Sequence, residues 1–315
     1  MPHLHARSQP ARERGPMRWA GLLLALVMAL MWVVPSGGAS LPAAAAPLAV
    51  QQGPRLVLAF YYMWFMPGDF ENGRMLDRPV TPYNSSLPET MDRQVREAQS
   101  AGIDASWTGE GTDTDANFGR LLDIAQKRGF SATIYFEVNS AVQHGDVAAQ
   151  IQSVIRRYGS HPAFLRWNGK PVLFFWSPQT VGNAGAWAAI RSKVDPGWGQ
   201  VWSVDTTDAA YLDAFDTIHF FSAGKWRGDT DVAKVNAQWR ARVDDYNKRK
   251  GTGRLWTPGV IPGWDESRVQ PPRPQAKVFP RRDGAMYEEG WRGGAIAAVA
   301  DLGGFDGGVP AALLL

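Results

Sequence analysis

Seven short apolar runs recur along the chain, and helical patterns lie between them. They are Leu56–Tyr62, Gly102–Trp107, Ala132–Glu137, Pro171–Trp176, Val201–Asp205, Thr217–Ser222 and Trp256–Ile261. Runs that are continuously apolar suit strands buried on both faces of a parallel sheet. Strands that alternate with helices predict βαβ units, and seven such units favour a closed (β/α)8 barrel in a single domain.

The first 49 residues differ from the rest. Residues 1–19 are basic and polar, residues 20–34 form an unbroken apolar run, and small residues follow through Ala46. This order is typical of a secretory signal peptide. A helix of that apolar length spans roughly 22 Å, short of the roughly 30 Å bilayer core, and an uncleaved N-terminal anchor is the alternative. We therefore expect residues 1–49 to be a leader, and residues 50–315 to form the barrel of a secreted or N-terminally anchored protein.

Composition excludes several functions. The chain has 33 basic and 30 acidic residues, and the excess of three positive charges lies within the first 50, so we expect no nucleic-acid partner. The absence of cysteine excludes disulfides, thiolate metal sites and a cysteine nucleophile. The histidines after the leader, His144, His161 and His219, show no metal-ligand spacing. We expect a monomer with no metal and no cofactor.

Candidate site residues follow from the fold, because active sites in such barrels lie at the C-terminal ends of the strands. Aromatic rings stack on the apolar faces of sugars, and paired carboxylates cleave glycosidic bonds. With 14 tryptophans in the chain, an oligo- or polysaccharide is the expected ligand. We predict Glu137 and Asp205 as catalytic residues. The predicted substrate-binding residues are Tyr61, Tyr62, Trp64, Asp104, Trp107, Trp176, Ser222, Trp264 and Asp265.

Two of these residues have a structural alternative. Trp176 could fill the barrel interior, and Asp104 could hold a neighbouring loop by hydrogen bonding. The chain also lacks the Gly-x-Ser-x-Gly elbow of α/β-hydrolases.

Several segments resemble a known family. They are Phe60–Phe65, Tyr83-Asn-Ser, Ala101-Gly-Ile-Asp104, His161–Trp176, Thr257–Asp265, Arg281-Arg-Asp-Gly and Tyr287–Trp291. Together they resemble glycoside hydrolase family 99, the endo-α-mannosidases and endo-α-mannanases, with the family 71 α-glucanases as a looser relation. The resemblance implies a metal-independent, retaining (β/α)8 glycosidase that cuts within α-linked mannose chains.

The C-terminal segment departs from that family. The resemblance places both catalytic glutamates in an Asn-Glu-Trp-x-Glu-Gly stretch after the eighth strand, and this sequence does not contain it. The residues after Trp291 are rich in glycine and alanine, with Asp301 and Asp306 as their acidic residues. We predict a shifted or cut reading frame near residue 293, which leaves the eighth unit incomplete unless the tail supplies a makeshift strand. The open alternatives are an enzyme with relocated acids, a glycan-binding protein that does not cleave, and an α-glucanase.

Overall fold

The structure of the chain is a computed structural model. The structure describes residues 56–73, 75, 77–108, 112–221, 232–269, 271–272, 274–296 and 312–314. The predicted leader lies outside these residues, and so do residues 297–311, which follow the predicted break near residue 293. In the described part of the chain, no helix is long and apolar enough to cross a membrane.

Parallel strands form the centre of the molecule. In chain order, the strands that enter the barrel are β1 (Val57–Phe60), β2 (Ala105–Thr108), β3 (Ser131–Glu137), β5 (Lys170–Trp176), β6 (Val201–Asp205), β7 (Thr217–His219), β8 (Leu255–Trp256), β9 (Gly259–Val260) and β12 (Ala312–Leu314). The short β4 (Arg166–Trp167) pairs antiparallel with β5. A separate antiparallel hairpin consists of β10 (Trp264–Asp265) and β11 (Val278–Phe279).

The strands close into a ring with eight positions. Strands β1, β2, β3, β5, β6 and β7 pair in that order, β7 pairs with β8, and β9 pairs with β12, which returns to β1. We assign β8 and β9 to one ring position, interrupted at Thr257 and Pro258, because proline cannot donate a ladder hydrogen bond. The chain thus folds as a (β/α)8 barrel, and its tail supplies the eighth strand.

Helices follow the strands along the chain. They are α1 (Pro88–Ser100), α2 (Thr112–Arg128), α3 (Val138–Gln143), α4 (Val147–Tyr158), α5 (Ala184–Val194), α6 (Val232–Lys250) and α7 (Ala285–Glu289), which continues as a π-helical segment, Gly290–Ile296. Local chemistry sets several starts. Pro88 opens α1, and the side chains of Asp146 and Asn183 accept N–H groups in the first turns of α4 and α5.

Two apolar layers stabilise the barrel. The outer layer fills the space between strands and helices and includes Phe136, Phe175 and Trp202. The inner layer lies inside the ring and consists of Leu58, Tyr135, Leu165, Val172, Phe174 and Val201. Successive strand residues point to opposite faces, so β3, β5 and β6 contribute alternately to the two layers.

Charged residues form a compact group at the N-terminal end of the barrel, which we call the base cluster. The Arg191 side chain is only 2% exposed, and its guanidinium lies 3.1 Å from Asp195 and 3.2 Å from Asp216. The same guanidinium stacks on Trp198 and Trp202, at 4.1 and 4.4 Å from the ring centroids. Asp216 also pairs with Arg254. These six residues connect the strand starts to α5.

Candidate active site at the barrel mouth

Aromatic side chains gather at the mouth, by which we mean the C-terminal ends of the barrel strands. The Phe221 ring lies 5.1 Å from Phe60, 6.1 Å from Tyr135, 6.2 Å from Trp176 and 6.1 Å from Trp264, between ring centroids. We call these five residues the aromatic collar. Trp176 is half-buried and packs against the inner layer. It therefore both fills the barrel and faces the mouth.

Glu137 brings a carboxyl group to this collar. It is the last residue of β3, pairs in register with Trp176 on β5, and is half-buried. Burial raises the pKa of the Glu137 carboxyl. Burial and the nearby Glu137 charge also raise the pKa of the Tyr62 phenol to about 12. Tyr62 therefore lies near Glu137, and the site favours the protonated form of the carboxyl more than water does.

Asp205 supplies a second carboxylate. It ends β6, and its Oδ1 accepts the N–H of Phe221 at 3.2 Å. Burial, followed by the charge of Asp205, raises the pKa of the Tyr135 phenol, and Tyr62 and Glu137 add to this effect. Both carboxylates therefore lie near the Tyr135 phenol.

The spacing of the two carboxylates suits a ligand between them. Only β5 separates β3 from β6 in the sheet, and two strand spacings correspond to roughly 9–10 Å between backbones. Glycosidases place two carboxyl groups on opposite sides of the bond that they cleave. Glu137 and Asp205 are therefore a suitable pair for contacting one sugar from two sides.

Trp64 extends the aromatic surface outward. Its ring centroid lies 4.7 Å from Tyr62, and the residue is 47% exposed. Ser85 holds this loop, because its hydroxyl donates to the Tyr62 carbonyl and accepts the Phe65 N–H. Trp64 is thus an exposed ring on an anchored loop beside the mouth.

Two predicted ligand contacts lie away from the mouth. Tyr61 points into the outer layer, where its hydroxyl donates to Gln94 Oε1 at 2.6 Å. Asp104 precedes β2 at the N-terminal end of the barrel, and its Oδ2 accepts the Val57 N–H at 2.7 Å. These positions differ from the prediction that both residues bind substrate, and the hydrogen bond of Asp104 fits its structural alternative. Strand alternation explains Tyr61, and the position before the strand explains Asp104.

The remaining predicted residues differ in position. Trp264 joins the collar, whereas Asp265 next to it is exposed and accepts the N–H of Ser267 at 2.7 Å within its own turn. The Trp107 backbone lies on β2 in register with Phe60. The side chain of Trp107 and all of Ser222 lie outside the described residues.

Sequence reasoning missed several mouth and interior residues, namely Phe60, Tyr135, His219 and Phe221. They lie inside the predicted strand runs, whereas the prediction concentrated on the ends of those runs. The alternation of side chains along a strand could have identified them. A residue two positions before an inward-facing residue of the same strand also faces inward. No group of three or more described His, Asp or Glu residues is arranged to hold a metal ion.

The fold and the mouth together define a class: a (β/α)8 barrel with an aromatic, carboxylate-bearing site of the glycoside hydrolase kind. The family description that matches the chain is Glycosyl hydrolase family 99, over residues 73–303. The protein belongs to this family.

Similar proteins include two solved structures and one sequence relative. One structure of the family 99 endo-α-mannosidase from Bacteroides thetaiotaomicron, in complex with bis-tris propane, has a TM-score of 0.61 at 21% identity and covers 82% of both chains. A second structure of that enzyme has a TM-score of 0.63 at 19% identity, covering 82% of this chain and 83% of that one. At this identity the two structures show a shared fold.

The sequence relative is the glycoprotein endo-α-1,2-mannosidase of Xenopus laevis. It is 27% identical over 36% of this chain, and the match spans 28% of the relative's own length.

Proposed function

We propose that the barrel mouth binds an α-linked, mannose-containing glycan and that Glu137 is the carboxyl group on which its cleavage depends. The observation that carries this proposal is the position of Glu137, half-buried beside Tyr62 and in register with Trp176. Membership of family 99 supports a glycosidic substrate, and the names of the similar proteins support mannose.

The chemistry follows from the protonation of the site. A carboxyl whose pKa is raised keeps its proton to higher pH, so that Glu137 can donate it to the leaving glycosidic oxygen. Asp205, the second carboxylate, would accept the proton of the hydroxyl or water that attacks the anomeric carbon as the glycosidic bond breaks, and one water is consumed in the overall hydrolysis. The collar would stack on the apolar face of the sugar ring.

A second candidate is glycan binding without cleavage. It is favoured by the absence of an Asn-Glu-Trp-x-Glu-Gly stretch from the sequence. The aromatic surface and the carboxylates would then act as a binding site alone. In both cases we propose an exported protein, because a leader over residues 1–49 would bring the barrel to extracellular polysaccharide.

One experiment separates these functions. Binding and hydrolysis of α-mannan are measured for the wild type and Glu137→Gln, with an α-glucan as the competing substrate. We expect mannan hydrolysis that falls about 10²–10⁴-fold in Glu137→Gln. Binding without cleavage would favour the second candidate, and selective cleavage of the glucan would favour an α-glucanase. No interaction with either polysaccharide would refute the proposal.

A further inference from the structure

A row of three hydrogen-bonded side chains lies inside the barrel beneath the mouth, and the proposed sugar contacts do not account for it. His219 on β7 is fully buried. Its Nδ1 lies 2.7 Å from the Ser203 hydroxyl on β6, and its Nε2 lies 3.2 Å from the Tyr135 hydroxyl on β3. We call Ser203, His219 and Tyr135 the interior row.

His219 is neutral in this environment. Its ring packs edge-on against Phe174 and Tyr135, with centroids 5.3 and 5.5 Å away. Burial lowers the pKa of the imidazole to about 3. A neutral imidazole has one donor nitrogen and one acceptor nitrogen. The hydrogen bonds of the interior row can therefore run in one of two directions, from Ser203 toward Tyr135 or from Tyr135 toward Ser203.

The carboxylates at the mouth select between these directions. Glu137 lies two residues beyond Tyr135 on β3, and Asp205 lies two residues beyond Ser203 on β6, where it pairs in register with His219. Both carboxylates therefore share the inward face with the row, one step nearer the mouth. Burial raises the pKa of the Tyr135 phenol, and the charges of both carboxylates add to this effect. Their negative charge attracts the phenol hydrogen, which leaves the phenol oxygen as the acceptor facing His219. Nε2 of His219 then carries the hydrogen, and Nδ1 accepts from Ser203.

We propose that Ser203 and His219 are positioning residues that hold the Tyr135 hydroxyl as a fixed donor toward the carboxylates at the floor of the mouth. The proposal rests on the proposed function, since it states how that glycan site is oriented. Neither Ser203 nor His219 needs to touch the sugar. Their effect is to fix the direction of one hydrogen beneath Glu137 and Asp205, so that these carboxylates are oriented before a sugar hydroxyl arrives.

The first test is independent of glycan binding. Nitrogen-15 NMR reports which imidazole nitrogen carries the hydrogen, and comparison with His219→Gln assigns the His219 signals among those of the other histidines. We expect a neutral ring protonated at Nε2 around neutral pH. A ring protonated at Nδ1, or a doubly protonated ring, would overturn the proposal.

The second test uses Ser203→Ala, which removes the donor that faces Nδ1. We expect the Nε2–H preference to weaken and the affinity for an α-mannan oligosaccharide to fall about fivefold, the effect of one hydrogen bond. Thr217→Val is the matched control, because Thr217 carries a buried hydroxyl that pairs with Thr257 at 2.8 Å outside the interior row. It should leave the His219 spectrum and the affinity unchanged.

Several outcomes would contradict the interior row. One is an unchanged spectrum and affinity in Ser203→Ala, and another is an equal loss of affinity in Thr217→Val. If Ser203→Ala does not fold, Tyr135→Phe tests the same row, because it removes the acceptor for Nε2 and must alter the His219 spectrum. A wild type that shows the Nε2–H ring but binds no glycan would refute the proposed function and still support the orientation of the row.

Discussion

The two ends of the barrel contain the same kinds of residue in opposite arrangements. In the base cluster, Arg191 is stacked on indole rings and paired with the carboxylates of Asp195 and Asp216. At the mouth, no basic side chain among the described residues forms an ion pair with Glu137. Burial raises the pKa of both Glu137 and Asp216, but cations oppose that effect only at Asp216. A carboxylate paired within the fold already has its partner, and removing that partner is costly. A carboxylate that lacks a cation retains its capacity to bind a ligand. The comparison separates a structural end from a functional end.

Removing the central cation of the base cluster should have the largest effect on stability. Arg191→Ala leaves the buried Asp195 without a cation and the half-buried Asp216 with Arg254 alone. We expect the free energy of unfolding to fall by about 3–5 kcal/mol. Denaturant titration measures it. Arg249→Ala is the control, because its ion pair with Asp245 is exposed and should contribute below about 1 kcal/mol. Equal losses in the two variants would remove the distinction between the base cluster and an ordinary surface pair.

Replacing an indole should separate the mouth from the outer layer. Trp176→Leu removes a collar ring, and we expect the affinity for an α-mannan oligosaccharide to fall by about three- to tenfold. Trp256→Leu is the matched control, because Trp256 stacks on Trp239 in the outer layer. Calorimetric titration of both folded variants provides the measurement. A loss of affinity in Trp256→Leu alone would contradict the assignment of the mouth.

Two neighbouring tyrosines allow the outer layer and the mouth to be compared within one segment. Tyr61→Phe loses the hydrogen bond to Gln94 and should lower the free energy of unfolding by about 1 kcal/mol with no change in glycan affinity. Tyr62→Phe loses a hydroxyl beside Glu137 and should weaken glycan binding by about fivefold, with little change in stability. Denaturant titration and calorimetry on both variants decide this. Equal effects on glycan affinity would show that strand alternation does not separate the two side chains.

The smallest predicted effect is the pH dependence of stability. The folded-state pKa of Glu137 is raised, so the folded protein binds more protons than the unfolded chain between the two pKa values. Wild-type stability relative to Glu137→Gln should therefore fall as pH rises from the unfolded to the folded pKa. Unfolding titrations from about pH 4 to about pH 8 measure the difference. A difference that stays constant, or changes in the opposite direction, would contradict the raised pKa.

Much of the fold was predictable because buried parallel strands are continuously apolar. The runs ending at Glu137, Trp176 and Asp205 end at these same residues in the structure. The strand at Ala312–Leu314 had no comparable signal. This strand pairs with β1 and β9, which are distant from it in sequence. Its position in the barrel depends on these long-range pairings, which local sequence patterns do not show.

The site was only partly predictable. Strand ends identified Glu137 and Asp205 as mouth residues, but they did not show which side each neighbouring residue faces. The first strand shows the difficulty. Tyr61 and Tyr62 are identical residues, and only the register of β1 directs one toward α1 and the other toward Glu137. The spacing of His219 from the other histidines argued against a metal ligand. Its contacts with Ser203 and Tyr135 could not be predicted, because they join residues of three different strands, β7, β6 and β3.

The most direct test of the account is a crystal structure of the protein with an α-linked mannose oligosaccharide. The account predicts a sugar ring against the aromatic collar, within hydrogen-bonding distance of the Glu137 carboxyl, and no sugar at the base cluster. A sugar bound elsewhere on the barrel, with Glu137 making no contact to it, would contradict the assignment of the mouth as the functional end.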